Sequence, residues 1–128
     1  MYRHLVRERL RATHVQTAAE AARLIDDEPG GMLHSVRPIV RHHHERLDGS
    51  GYPDGLRGDD VPVLAQIVST VDLFEAITMG RAYLAPRSAD DAIAVLRHET
   101  TLGWRRPDVA GAVHHARAER RATIAPCR

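Results

Sequence analysis

Three consecutive imidazoles, His42-His43-His44, precede a glycine- and proline-rich stretch, and the apolar segment after it carries Asp72. Glu75 is the second acid of that segment; imidazoles and a carboxylate drawn from separate elements are the donors a divalent metal takes. Adjacent side chains on a helix point about 100° apart. His43 and His44 therefore reach one ion only at a helix end, or else two neighbouring ions. The competing reading of such a cluster is a solvated, partly basic face, and His42 is assigned to that face. His4, His34, His98 and the pair His114-His115 lack any supporting context.

Asp72 stands at the edge of an apolar face, near the small residues Ala65 and Ala76. A buried carboxylate must be paired, protonated or metal-bound, whereas a boundary acid facing solvent needs none of these. Asp48-Gly49-Ser50-Gly51-Tyr52-Pro53 reads either as a plain surface turn or as a shaped lip over a pocket, a ring and a stiff residue set among glycines that let a ligand approach the backbone. Arg81 reads either as a phosphate clamp, if the end of the preceding helix faces the site, or as a solvated arginine.

The elements that must position these groups are helical. Tyr2–Asp26 has helical composition with a break near His14, after which Thr13 or Thr17 caps a second helix. Residues 26–31 form a loop. A helix follows from Met32 or Pro38 to Arg46, with Pro38 in its first turn or kinking it. Asp48–Pro62 is irregular, and loops of that length inside a compact domain are usually functional. Val63–Met79 is a helix whose stripe Leu64, Ile67, Val68, Val71, Phe74 and Ile77 is expected to be core. Ser88 caps the next helix, which presents Ala92, Ile93, Val95 and Leu96 and ends at Gly103. Pro107 opens the last, running to about Arg120. No segment alternates with a period of two, so the fold class is all-α.

Composition bounds the function. A net charge of +1 gives no argument for a nucleic-acid polymer or a membrane surface. No apolar run approaches the roughly 20 residues of a membrane span, and the charged N-terminus is unlike a secretory signal, which makes the cytoplasm the expected location. Cys127, the single cysteine, excludes an internal disulfide and a cysteine-based zinc cage. All 18 basic residues are arginine, so no lysine serves catalysis or phosphate binding.

The string from His43 to Gly58, HHERLDGSGYPDGLRG, resembles the HHExxDGxGYPxGLxG motif of the HD-GYP family, a branch of the HD-domain metal phosphohydrolases, without a mismatch. Ala65–Ala76 is similar to the family's ARIxxVADxFDA segment. Arg81-Ala82-Tyr83 is similar to its Arg-Pro-Tyr, and Thr13–Glu20 to the segment around an upstream family histidine. The resemblance covers roughly residues 7–112. It implies an HD-domain-like helical bundle, here incomplete at the N-terminus, with residues 1–121 a partial domain and 122–128 a frayed tail.

By position, the resemblance makes His14, His43, His44 and Asp72 metal ligands, Arg81 a phosphate contact, and Gly51, Tyr52 and Pro53 the lip of the pocket, with no catalytic residue beyond the ligands. The implied cofactor is iron or manganese, two or three ions in the complete family domain. The implied reaction is hydrolysis of cyclic di-GMP or a related cyclic dinucleotide by metal-bound hydroxide attacking phosphorus.

The chain departs from the family in one central respect: no histidine is followed by aspartate anywhere in it. The family's His-Asp pair, whose aspartate bridges the metals, lies upstream of the position matching His14. With the remaining donors one ion at most is expected, and the chain alone is expected to be inactive without the upstream half. The uncovered apolar face that would result points to a homo-oligomer. The alternative function is a non-catalytic module that binds a cyclic dinucleotide or a GGDEF-type partner.

Overall fold

A computed structural model of the chain describes residues 35–123. The expected N-terminal helices, the loop at 26–31 and His14 lie outside the described residues, as does most of the expected tail. The described elements are α1 (Arg37–His42), a 3-10 turn at Gly58–Asp60, α2 (Val63–Met79), α3 (Ala89–Thr101) and α4 (Pro107–Thr123). The protein is all-α. Its only strand-like features among the described residues are two isolated bridges, Asp48 with Arg57 and Arg81 with Leu84. No helix among the described residues is long and apolar enough to cross a membrane. The chain divides into two compact units, residues 1–65 and 66–128.

In the first unit, α1 has its proline in the first turn, where the missing N–H costs nothing. It ends at His42, earlier than the Arg46 expected from composition. Beyond His43, the backbone N–H of Glu45 turns back to the His42 carbonyl at 3.0 Å, and the chain leaves the helix. The irregular stretch that follows is held by its own backbone: Gly49 N–H donates to Arg46 O at 3.0 Å and Gly58 N–H to Leu47 O at 2.9 Å. Asp48 Oδ1 accepts from Ser50 N–H at 2.9 Å, an aspartate turning its own loop.

In the second unit, α3 begins with a full capping box. Ser88 Oγ accepts from Asp91 N–H at 3.1 Å, and the Asp91 carboxylate accepts from Ser88 N–H at 3.2 Å. The helix stops at Leu102, and Gly103 takes a φ of +75°, a conformation that an L side chain resists. Pro107 opens α4, which packs on α3. The core of this pair is Ala92, Ile93, Leu96 and Val109, all buried.

Between α3 and α4, Arg105 is mostly covered and pairs with Glu99 at 2.5 Å. Its guanidinium also reaches Ser69 Oγ at 3.0 Å and Thr70 Oγ1 at 3.3 Å on α2. This polar tie explains a departure from the expected core. The buried side of α2 carries Ala65, Gln66, Thr70 and Ile77, while Leu64, Ile67, Val68 and Val71 are exposed, at 58%, 41%, 36% and 49%. Of the expected stripe Ile77 is buried, while Leu64, Ile67, Val68 and Val71 are not; Thr70, whose hydroxyl meets Arg105, lies on the inward side instead.

Candidate metal centre and its loop

His43 and His44 follow the last residue of α1, not its interior. Of the two arrangements open to adjacent histidines, this is the helix end. His43 occupies the C-cap and its N–H donates to Ile39 O at 3.1 Å. Its ring Nδ1 lies 2.8 Å from Val40 O. A carbonyl only accepts, so Nδ1 carries the proton, and the lone pair available to a metal is the one on Nε2. A ring nitrogen tied to a backbone carbonyl while the other faces outward is the usual state of a metal-ligating histidine. The His43 and His44 rings lie 4.0 Å apart between centroids, inclined by 40°.

The loop folds back over this pair. The Tyr52 ring stacks on His44, with centroids 4.9 Å apart and planes 24° from parallel, and Tyr52 N–H donates to His44 O at 3.4 Å. The Tyr52-Pro53 peptide is cis. Gly51 lies directly on the backbone of Glu45 and Arg46, where any β-carbon would collide.

Glu45 holds the far side of the loop. Its residue exposure is 5%. Oε1 accepts from Asp54 N–H at 2.7 Å and Gly55 N–H at 3.1 Å, and Oε2 accepts from Leu56 N–H at 3.1 Å. An irregular loop near the interior must place its backbone donors somewhere, and here one buried carboxylate takes three in succession. Asp54 is clamped from outside by Arg41, whose Nε and Nη2 donate to its two carboxylate oxygens at 2.8 Å each. That contact holds the Asp54 carboxyl below the ordinary carboxylate range.

His42, expected on a solvated face, is instead largely covered, its side chain 15% exposed. Its Nδ1 lies 3.4 Å from Asp54 Oδ2 and 4.0 Å from Glu45 Oε1. Burial lowers its pKa, with Asp54 and Glu45 opposing the shift. His42, Glu45 and Asp54 offer ligand atoms within 4.8 Å of one another, a grouping that could take an ion. The two carboxylates are, however, already committed to backbone amides and to Arg41. This triad therefore fits loop folding better than metal binding, whereas the His43 ring beside it is tied to the backbone through Nδ1 alone.

In the second unit, Asp72 and Arg81 line one cleft of about 190 Å³ together with Glu75, Ala76, Met79 and Gly80. Asp72 is half-buried and Arg81 exposed. Neither side chain makes a hydrogen bond or ion pair among the described residues. Arg81 is fixed through its backbone: its N–H donates to Leu84 O at 2.9 Å, and Leu84 N–H returns to Arg81 O at 2.8 Å. Sequence reasoning passed over Glu45. The usable signal was an acid just before a loop whose glycines offer amides with no strand or helix to receive them.

Comparison with known proteins fits this arrangement. The family model of the HD domain matches residues 4–105. A probable cyclic di-GMP phosphodiesterase of Vibrio cholerae serotype O1 is 35% identical over 79 residues, 62% of this chain and 18% of that protein. The cyclic di-GMP phosphodiesterase response regulator RpfG of Xanthomonas campestris pv. campestris is 48% identical over 58 residues, 45% of this chain and 15% of the relative. A 3'3'-cGAMP-specific phosphodiesterase 1 of Vibrio cholerae is 42% identical over 62 residues, 48% of this chain and 14% of the relative. The chain thus spans less than a fifth of the length of these relatives. A match over most of the chain, joined to the unbroken string from His43 to Gly58, makes this protein a member of the HD domain family, in its HD-GYP branch.

Proposed function

We propose that the protein is a metal-dependent phosphodiesterase acting on cyclic di-GMP or a related cyclic dinucleotide. The metal ligands in this reading are His14, His43, His44 and Asp72, and the ion is iron or manganese. The observation that carries it is the His43 ring, its Nδ1 proton held on Val40 O and its Nε2 left to coordinate. Imidazole with carboxylate suits first-row divalent ions. The names of the relatives support the substrate class.

A bound ion supplies Lewis acidity at the phosphoryl oxygens and a water made acidic enough to react near neutral pH. The chain's own residues do the rest. Arg81 offers a planar guanidinium that pairs with a phosphate through parallel N–H donors. Gly51, Tyr52 and Pro53 form the lip that keeps water from the bound phosphodiester. The cytoplasm is the proposed location. Self-association through the exposed apolar side of α2 and docking of GGDEF-type domains on the lip are proposed contacts.

The test is incubation of the 128-residue chain with manganese and cyclic di-GMP, following the linear dinucleotide and GMP. Turnover removed by a chelator and by Asp72→Ala supports the enzyme. A second reading, a cyclic-dinucleotide-binding module without turnover, is favoured by one observation: the chain contains no His-Asp dipeptide. Saturable binding of cyclic di-GMP with no product selects that module. Absence of both rejects the module and rejects turnover by this chain alone.

A further inference from the structure

The Glu45 carboxylate sits where two features meet. In the chain Glu45 follows His43 and His44 directly, and its side chain meets the loop that bears Tyr52. Its oxygens accept the successive amides of Asp54, Gly55 and Leu56 at 2.7, 3.1 and 3.1 Å. The same loop is pressed onto the backbone of Glu45 and Arg46 at Gly51, and it lays the Tyr52 ring on His44. The residue is 5% exposed, so its carboxylate has little solvent to turn to in place of these amides while the loop stays folded.

From this geometry we propose that Glu45 is a positioning residue. By gathering the three amides it holds Tyr52 against His44, and so couples the order of the loop to the metal affinity of the histidine pair. The metal half of this statement rests on the function proposed above; the anchoring half does not. A stacked ring restricts the rotation of the His44 imidazole, and a ligand orientated before the ion arrives loses less freedom on binding. Groups that orientate metal ligands from outside the coordination sphere typically change affinity by about 10- to 100-fold when removed. Coupling is reciprocal, so an ion on the histidine pair must protect the same loop amides by the same factor.

Glu45→Gln is the discriminating variant. It keeps the shape of the side chain but turns an –NH2 toward a backbone donor, so one amide loses its acceptor. Two quantities are measured on the full 128-residue chain: hydrogen exchange at the amides of Asp54, Gly55 and Leu56, and manganese affinity from the paramagnetic resonance of the free ion. The variant is expected to lose at least about 10-fold in protection at these amides, to weaken manganese by about 10-fold, and to lose the ring-current shift that Tyr52 imposes on His44. In the wild-type chain manganese is expected to raise protection at the same amides.

Unchanged exchange in Glu45→Gln overturns the anchoring. Lost protection with unaltered manganese affinity overturns the coupling. If the wild-type chain takes up no manganese, the metal assignment fails and the coupling with it, while the exchange and ring-current readouts still decide the anchoring. Should Glu45→Gln lose helical circular dichroism, Tyr52→Leu decides the coupling. It leaves the carboxylate–amide contacts in place and is expected to weaken manganese with protection at residues 54–56 retained; undiminished affinity there overturns the coupling.

Discussion

At the scale of single residues, the loop over the histidine pair is organised by close approach as much as by hydrogen bonding. Gly51 has no room for a β-carbon, because the backbone of Glu45 and Arg46 lies in its path. Backbone yields less readily than the end of a flexible side chain. Gly51→Ala is therefore expected to push the loop outward and to destabilise the protein by about 1–3 kcal/mol, the range for overpacking a filled site. A fall in thermal midpoint together with loss of the Tyr52–His44 ring-current shift is the expected result, and an unchanged midpoint would contradict the close packing. The string from His43 to Gly58 was legible as a motif, but its division of labour was not. Pattern alone could not show that Glu45 accepts the loop amides while His43 ties its Nδ1 to Val40 O, since that depends on which backbone groups are left without partners.

At the scale of elements, punctuation was legible and burial was not. Ser88 and Asp91 announce a helix start and Gly103 and Pro107 mark a stop and a restart, all through local chemistry. Hydrogen bonds from Ser88, first its hydroxyl and then its backbone, hold the Asp91 carboxyl below its usual range. As pH falls, the unfolded chain therefore binds this proton before the folded chain does. The contribution is present above the ordinary carboxylate pKa and is lost as pH drops through the lowered one. Ser88→Ala should cost about 1 kcal/mol at neutral pH, and its difference from wild type should shrink below about pH 4 in melts followed by circular dichroism. The end of α1 was misjudged because composition favoured helix to Arg46, while the turn at Glu45 is fixed by contacts distant in sequence. Most of the apolar stripe of α2, Ile77 excepted, was misjudged for a related reason: Arg105 needs the hydroxyls of Ser69 and Thr70, and those lie on another side of the helix. With Arg105 and Glu99 both largely covered, Arg105→Met strands a carboxylate and should cost about 3 kcal/mol. A double cycle with Glu99→Gln should recover a good part of that loss, and strict additivity would show that the pair contributes nothing.

At the scale of the whole molecule, an ion bound by the folded chain and not by the unfolded one must appear as stability. At free manganese near 100 times the dissociation constant, the gain is about 2.7 kcal/mol. That quantity needs no turnover, so it tests the ligand assignment whether the protein is an enzyme or a binding module. In the proposed ligand set, His43 and His44 come from the end of α1 and Asp72 from within α2. If both sets are ligands, His43→Ala and Asp72→Ala should each remove most of the manganese-dependent rise in denaturation midpoint. His114→Ala, a change on the exposed side of α4, should leave it intact and so control for adventitious histidine binding. A rise that survives Asp72→Ala but not His43→Ala would restrict the site to imidazoles and leave Asp72 as an acid of the Arg81 cleft. A rise that survives both would place the ion elsewhere, with the grouping of His42, Glu45 and Asp54 next in line. Because Glu45 and Asp54 already serve amides and Arg41, an ion seated there would have to break contacts that fold the loop. Its signature would be faster amide exchange at residues 54–56 when manganese is added, opposite to the protection expected when the ion sits on His43 and His44.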